Sequence, residues 1–186
     1  QGSRYFPVED SIPSVITNAA GNSTYAFVRT EDALDNDPAV KAGKLWVHLQ
    51  FNIGSNTAPL WTDLNAPPTP GKKALLFNPA AVVLPAGWPV TTFARVFVVG
   101  VDKKLYSRDI SSTGIPTADW QSYSVPGEPS CTSSPFVTVS GSTLLVFVSG
   151  ENGVVHRLAV NPVPPPQWFP LTPTPTTTFT PLSRRF

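Results

Sequence analysis

The sequence contains no methionine, one cysteine and two histidines, and only 13% of its 186 residues are charged. Each scarcity closes off a class of chemistry. Cys131 stands alone, so no intrachain disulfide can form, and it lacks the cysteine or histidine spacing of a metal site. The two histidines, His48 and His156, have no acid or nucleophile near them in sequence, and so give no triad pattern. A formal net charge of +1, with lysines and arginines scattered rather than clustered, leaves no electrostatic footprint for nucleic acid. The longest apolar runs, such as Ala80 to Pro85 and Thr143 to Val148, fall far short of the roughly 20 residues that span a bilayer. No cofactor, metal or membrane span is expected.

Proline, by contrast, is abundant, at 22 residues. Proline removes a backbone donor and clashes inside helices, so long helices are disfavoured and the chain is expected to be all-β. A hydrophobic fraction of 41% is enough to close a core at this length, which predicts one domain. Gln1-Gly2-Ser3 reads as the remnant of a cleaved tag, which leaves 4–186 as that domain. Asn22-Ser23-Thr24 is a glycosylation acceptor of the kind a secreted eukaryotic protein would use.

What the chain has in place of motifs is repetition. The stretch RVFVVGVDKKLYSR at 95–108 alternates apolar and polar positions, turns at a Gly-x-Asp-Lys, and resumes as a second strand. A second copy, LLVFVSGENGVVHR, lies at 144–157. Aligning them pairs Phe97 with Phe147, Gly100 with Gly150, Asp102 with Asn152 and Arg108 with Arg157, with one residue deleted from the second turn. A looser third copy joins TYAFVRTED at 24–32 to GKLWVHL at 43–49 through a longer loop. Before each hairpin runs an apolar segment, PSVITN at 13–18, AAVVLP at 80–85 and PFVTVS at 135–140. After each comes an aromatic pattern, WTDL at 61–64, WQSY at 120–123 and WFPL at 168–171.

Four short strands per unit follow, over 13–64, 80–123 and 135–171. The interval from Phe97 to Phe147 is 50 residues, a spacing that suits the blades of a β-propeller. A twisted four-stranded sheet cannot cover both faces alone, and neighbouring blades do it. YFPV at 5–8 matches the fourth-strand pattern, and TTFTPL at 177–182 resembles an innermost strand. Propellers typically need four or more blades. The expectation is therefore a β-propeller or part-propeller of about three complete repeats plus split terminal strands, which belongs to a longer ring or is completed by a homo-oligomer, with a reduced fourth blade formed by the terminal strands as the remaining alternative.

The run VFVVGVDKKLYSRD, followed by a tryptophan and a tyrosine, resembles the repeat of the bacterial and fungal propeller lectins related to the Photorhabdus fucose-binding lectin. The likeness is strongest over 95–123, fair over 144–171 and weak in the first unit. It implies a propeller that binds glycans, fucosylated ones among them, in clefts between adjacent blades.

The residues themselves ask for gentle chemistry. A glycosidase needs two carboxylates at a defined separation. The acids here lie in turns and loops, with Asp32, Asp35 and Asp37 grouped in the long first loop. No catalytic residue is expected. Sugar binding needs an aromatic face and a few polar groups. Each unit offers a last-strand tryptophan, Trp61, Trp120 or Trp168, and a second-strand ring, Trp46, Tyr106 or His156. His48, Arg108 and Arg157 supply hydrogen-bonding groups, and Trp88 sits in a loop where an exposed ring would be telling. These ten residues are the candidate ligand-binding set of a non-catalytic lectin. The alternative is a protein-interaction module that docks a partner on one face or on the proline-rich loops 58–70 and 161–175.

Overall fold

The computed structural model describes residues 6–7, 11–31, 43–51, 60–69, 75–89, 91–161 and 165–171. All the regular structure among them is β-strand. The first sheet contains β1 (Phe6–Pro7), β2 (Ser14–Thr17), β3 (Ser23–Glu31), β4 (Lys44–Phe51) and β5 (Leu60–Asn65). The second contains β6 (Ala80–Val83), β7 (Ala94–Val99), β8 (Leu105–Ile110) and β9 (Gln121–Ser122). The third contains β10 (Phe136–Ser140), β11 (Thr143–Ser149), β12 (Val155–Val160) and β13 (Gln167–Leu171). Each is an antiparallel meander with four strand positions, because β1 and β2 share one edge of β3. Among the described residues no sheet closes on itself.

Two features correct the sequence reading. Phe6 and Pro7 pair with Glu31 and Thr30 beside β2, and so take a first-strand position in their own sheet rather than a fourth-strand one. The 177–182 segment lies outside the described residues. The two hairpin turns are also of equal length. Gly100 N–H donates to Lys104 O at 3.0 Å, and Gly150 N–H donates to Val154 O at 2.9 Å. Asp102 Oδ1 and Asn152 Oδ1 each accept the amide two residues on. Lys103 and Gly153 take the same left-handed place, at φ 61° and 73°. No residue is deleted. Arg157 therefore pairs with Phe147 as Ser107 pairs with Phe97, and the counterpart of Arg108 is Leu158.

Stacking of the sheets explains the burial. Tyr25, Phe27, Leu45, Val47, Leu49 and Leu64 of the first sheet pack against Val96, Val98, Tyr106 and Ile110 of the second. Phe97, Val99, Leu105 and Tyr123 on its other face pack against Leu144, Val146, Leu158 and Trp168 of the third. The middle sheet is thus covered on both sides, and all six residues of β7 are buried. Its strand reads as a nearly continuous apolar run for that reason, instead of the alternation expected from 95–99. Each such side chain stabilises the stack by about 1.5–3 kcal/mol relative to exposure. The outer sheets keep their alternation, as β11 does, with Leu144, Val146 and Val148 facing inward.

First strands adjoin: β6 touches both β2 and β10, and Ser14 Oγ accepts the Ala81 amide at 2.8 Å. One charged side chain enters the second interface. Arg95, 8% exposed, holds Asp109 through Nε at 2.6 Å and Nη2 at 2.9 Å.

Candidate functional site

Strand register turns the candidate residues into three equivalent sets. Trp46, Tyr106 and His156 lie opposite Val28, Val98 and Val148. Two residues on, His48 pairs with Trp61 and Leu158 pairs with Trp168. Arg108 and Trp120 stand one step beyond the last β8–β9 pair, Ser107 with Gln121, and correspond to them. The second and third sets occupy the face their sheet turns toward the preceding one, and the first set occupies the corresponding face of the first sheet. What differs is what lies opposite.

In the third sheet the space is filled. Trp168 is 7% exposed and packs in the core, where its Nε1 donates to Tyr123 O at 3.2 Å. Leu158 is buried where the second sheet carries Arg108. His156 is half-buried, its Nε2 3.1 Å from the place a Cβ on Gly150 would occupy. Trp88, expected in an exposed loop, is 9% exposed. Its indole N–H donates to Ser142 O at 2.9 Å, and the Arg95 guanidinium lies 4.7 Å from its ring. Trp88 and Trp168 are corrected to core positions for that reason, since a ligand would find no free ring face on either.

In the first sheet the set faces away from the second. His48 and Trp61 stack with ring centroids 4.6 Å apart, and Trp61 is 52% exposed. Trp46 on the same face is half-buried. Arg157 lies on the opposite outer face, that of the third sheet, over the Phe169 ring at 5.2 Å. It is thus far from the position it was expected to share with Arg108.

Between the first and second sheets the space stays open. A cleft of about 510 Å³ is lined by Lys44, Asn65, Pro68, Arg108, Asp119 and Trp120. Arg108 spans it, donating from Nη1 to Leu64 O at 2.5 Å and from Nε to Ala118 O at 3.1 Å. Its guanidinium lies 5.6 Å from the Trp120 ring centroid. Burial lowers the pKa of Arg108, against the pull of Asp119 and Asp63, and the group stays a cation in any accessible medium. The Trp120 indole N–H has no hydrogen-bond partner among the described residues, although it is buried.

The first-sheet wall owes its shape to an irregularity. Register shifts between Leu45 and Trp46, and Asn65 takes a left-handed φ of 56° while its amide donates to Asp63 Oδ1 at 2.7 Å. Asp63 also meets Lys44 at 3.7 Å, so the lysine at the mouth is balanced. Sequence spacing gave no sign of Lys44, Asn65 or Pro68, which lie on the wall shaped by this bulge, nor of Asp119, which reaches the cleft from the β8–β9 connection.

Tyr106 is buried beneath the cleft wall and donates to Asp102 Oδ2 at 2.7 Å. Burial first, then Asp102, raises its pKa. That hydrogen bond ties the strand to the Asp102 turn. Asp32, Asp35 and Asp37 lie outside the described residues. Among the described residues no group of acids, histidines or cysteine could hold a metal ion, and no helix is long and apolar enough to cross a membrane. Comparison with protein-family models and with curated proteins finds no match.

Proposed function

We propose that the three sheets are blades of a β-propeller and that the cleft between the first two binds neutral glycans, with no catalytic step. The observation that carries this reading is the Arg108–Trp120 pair in an open inter-sheet cleft. A sugar supplies hydroxyl oxygens for the guanidinium donors and an apolar ring face for the aromatic wall. The paired state of Lys44 with Asp63, and the presence of Asp119, favour uncharged sugars over acidic ones.

Blade stacking supports the propeller, since the first strands adjoin and each pair of sheets shares one apolar interface. The end faces support a ring completed by a second copy. Val15 and Trp61 are exposed on one, and Val155, Phe169 and Leu171 on the other. In such a ring the His48–Trp61 face becomes a second cleft, and repeated weak sites act together on one glycan surface.

Binding to a glycan array tests the reading. Wild-type protein is expected to bind neutral glycans, and Trp120→Ala to lose about tenfold or more in affinity. Absence of glycan binding, with capture of one discrete protein partner instead, would overturn it. Light scattering tests the ring: a mass at a multiple of 20.0 kDa is expected, and a strict monomer refutes completion by a second copy.

A further inference from the structure

A second cleft, of about 370 Å³, opens where the three first strands begin. The same step of each sheet lines it: residues 12–14, 78–81 and 134–137. Each contributes a proline, Pro13, Pro79 or Pro135, which has no N–H to present. Ile12 and Phe136 form an apolar rim, 70% and 63% exposed. None of the lining residues carries a charge. The volume falls within the usual range of small-molecule sites.

The polar atoms there are few and unevenly served. Ser134 Oγ accepts the Asn78 amide at 3.2 Å, and Ser14 Oγ accepts the Ala81 amide at 2.8 Å. Asn78 Oδ1 is buried without a hydrogen-bond partner among the described residues. Asn78 Oδ1 is shielded from solvent, so a ligand donor satisfies it when the side-chain amide turns to face the cleft. A hydroxyl does so whichever end of the amide turns inward, because it both donates and accepts.

We infer that this cleft is a binding site, separate from the Arg108–Trp120 cleft, for a neutral small molecule that joins an apolar ring to a single hydroxyl group. The ring lies against Phe136 and the prolines, and the hydroxyl meets Asn78. An ionised ligand would find no counter-charge, and a polyhydroxylated one would leave most of its hydroxyls against apolar walls. The inference does not depend on glycan binding at the other cleft.

Titration of the full chain with p-cresol, and with toluene as the match that lacks the hydroxyl, tests it by amide chemical-shift mapping. Saturable shifts at Ser14, Ala81, Ser134 and Phe136 are expected, with p-cresol binding about fivefold tighter than toluene. Asn78→Ala should abolish that preference and leave toluene binding unchanged, because the backbone amide bond to Ser134 survives. Phe136→Ala should weaken both. Equal affinity of wild type for the two compounds, no saturable binding, or shifts that map to Trp120 instead would each overturn the inference. The comparison on wild type stands even if a variant fails to fold.

Discussion

Replacing Asp109 by alanine isolates the one charge buried between the second and third sheets. Arg95 holds the carboxylate with two hydrogen bonds, 2.6 and 2.9 Å, and also donates to the Tyr123 hydroxyl at 3.3 Å. The two side chains are 9% and 16% exposed. Burial pulls the guanidinium pKa down, and the Asp109 hydrogen bond and charge, with the Tyr123 hydroxyl, more than reverse this. Without Asp109 only the Tyr123 hydroxyl and the Trp88 ring remain to offset the burial cost. Loss of one partner from a buried pair costs about 3–5 kcal/mol. Arg95→Met should cost less, since the stranded carboxylate lies nearer water. The double variant Arg95→Met/Asp109→Leu should return to within about 1 kcal/mol of wild type, because an apolar pair carries no desolvation penalty. Urea denaturation followed by tryptophan fluorescence of wild type, Arg95→Met, Asp109→Leu and the double variant gives the four free energies of the cycle, and a coupling of at least about 2 kcal/mol is expected. Additive effects, or an Asp109→Ala loss below about 1 kcal/mol, would show that water reaches the pair and that the two sheets are not packed as described.

Three further outcomes follow from single positions. A Cβ on Gly100 would lie 2.6 Å from Thr69 Cγ2 and 2.8 Å from Asp102 Oδ1, whereas at Gly150 the nearest atoms stand at 3.1 Å. Gly100→Ala should therefore cost about 1–3 kcal/mol in denaturation, and Gly150→Ala clearly less; equal losses would contradict the packing. Burial, helped by Asp102, raises the Glu128 pKa against Ser124, Lys104 and a Leu105 backbone bond. As pH rises, the unfolded carboxyl ionises first, so the stability tied to its protonated form is present in acid and lost through the folded pKa. Glu128→Gln should thus stabilise the protein near neutrality and be without effect in acid; a gain that grows on acidification would reverse that sign. Burial pushes the Cys131 thiol up to about 12, with Glu128 and Asp102 adding to it. A thiol reagent at about pH 8 should label the native protein only as fast as it opens, and immediate labelling would place the sulfur at the surface.

Strand order was legible because it is written locally. The segments 13–18, 80–85 and 135–140, the hairpins, and the tryptophan patterns appear as β2, β6 and β10, the central strand pairs, and β5, β9 and β13. Register was less legible. Two arginines looked equivalent, but equal turns place Arg108 opposite Val96 and Arg157 opposite Phe147. Residue identity aligns the two arginines, whereas the turn chemistry set by Asp102 and Asn152 does not. Burial of the tryptophans was the least legible property. Trp88 is closed by Ser142 and Trp168 by Tyr123, partners that lie 54 and 45 residues away in sequence. Trp120 escapes the same fate because the bulge at Leu45 and the turn at Asn65 leave its side of the interface open.

The indole N–H resonance of Trp120 reports most directly on the proposed glycan cleft. Titrating the protein with a panel of neutral methyl glycosides, methyl α-fucoside among them, should move that resonance and the Asn65 and Ala66 amides together and saturably. The Trp88 and Trp168 indoles, already bonded to Ser142 O and Tyr123 O, should stay in place. A Trp120 resonance that does not respond to any of these sugars, or shifts confined to other parts of the molecule, would contradict the account.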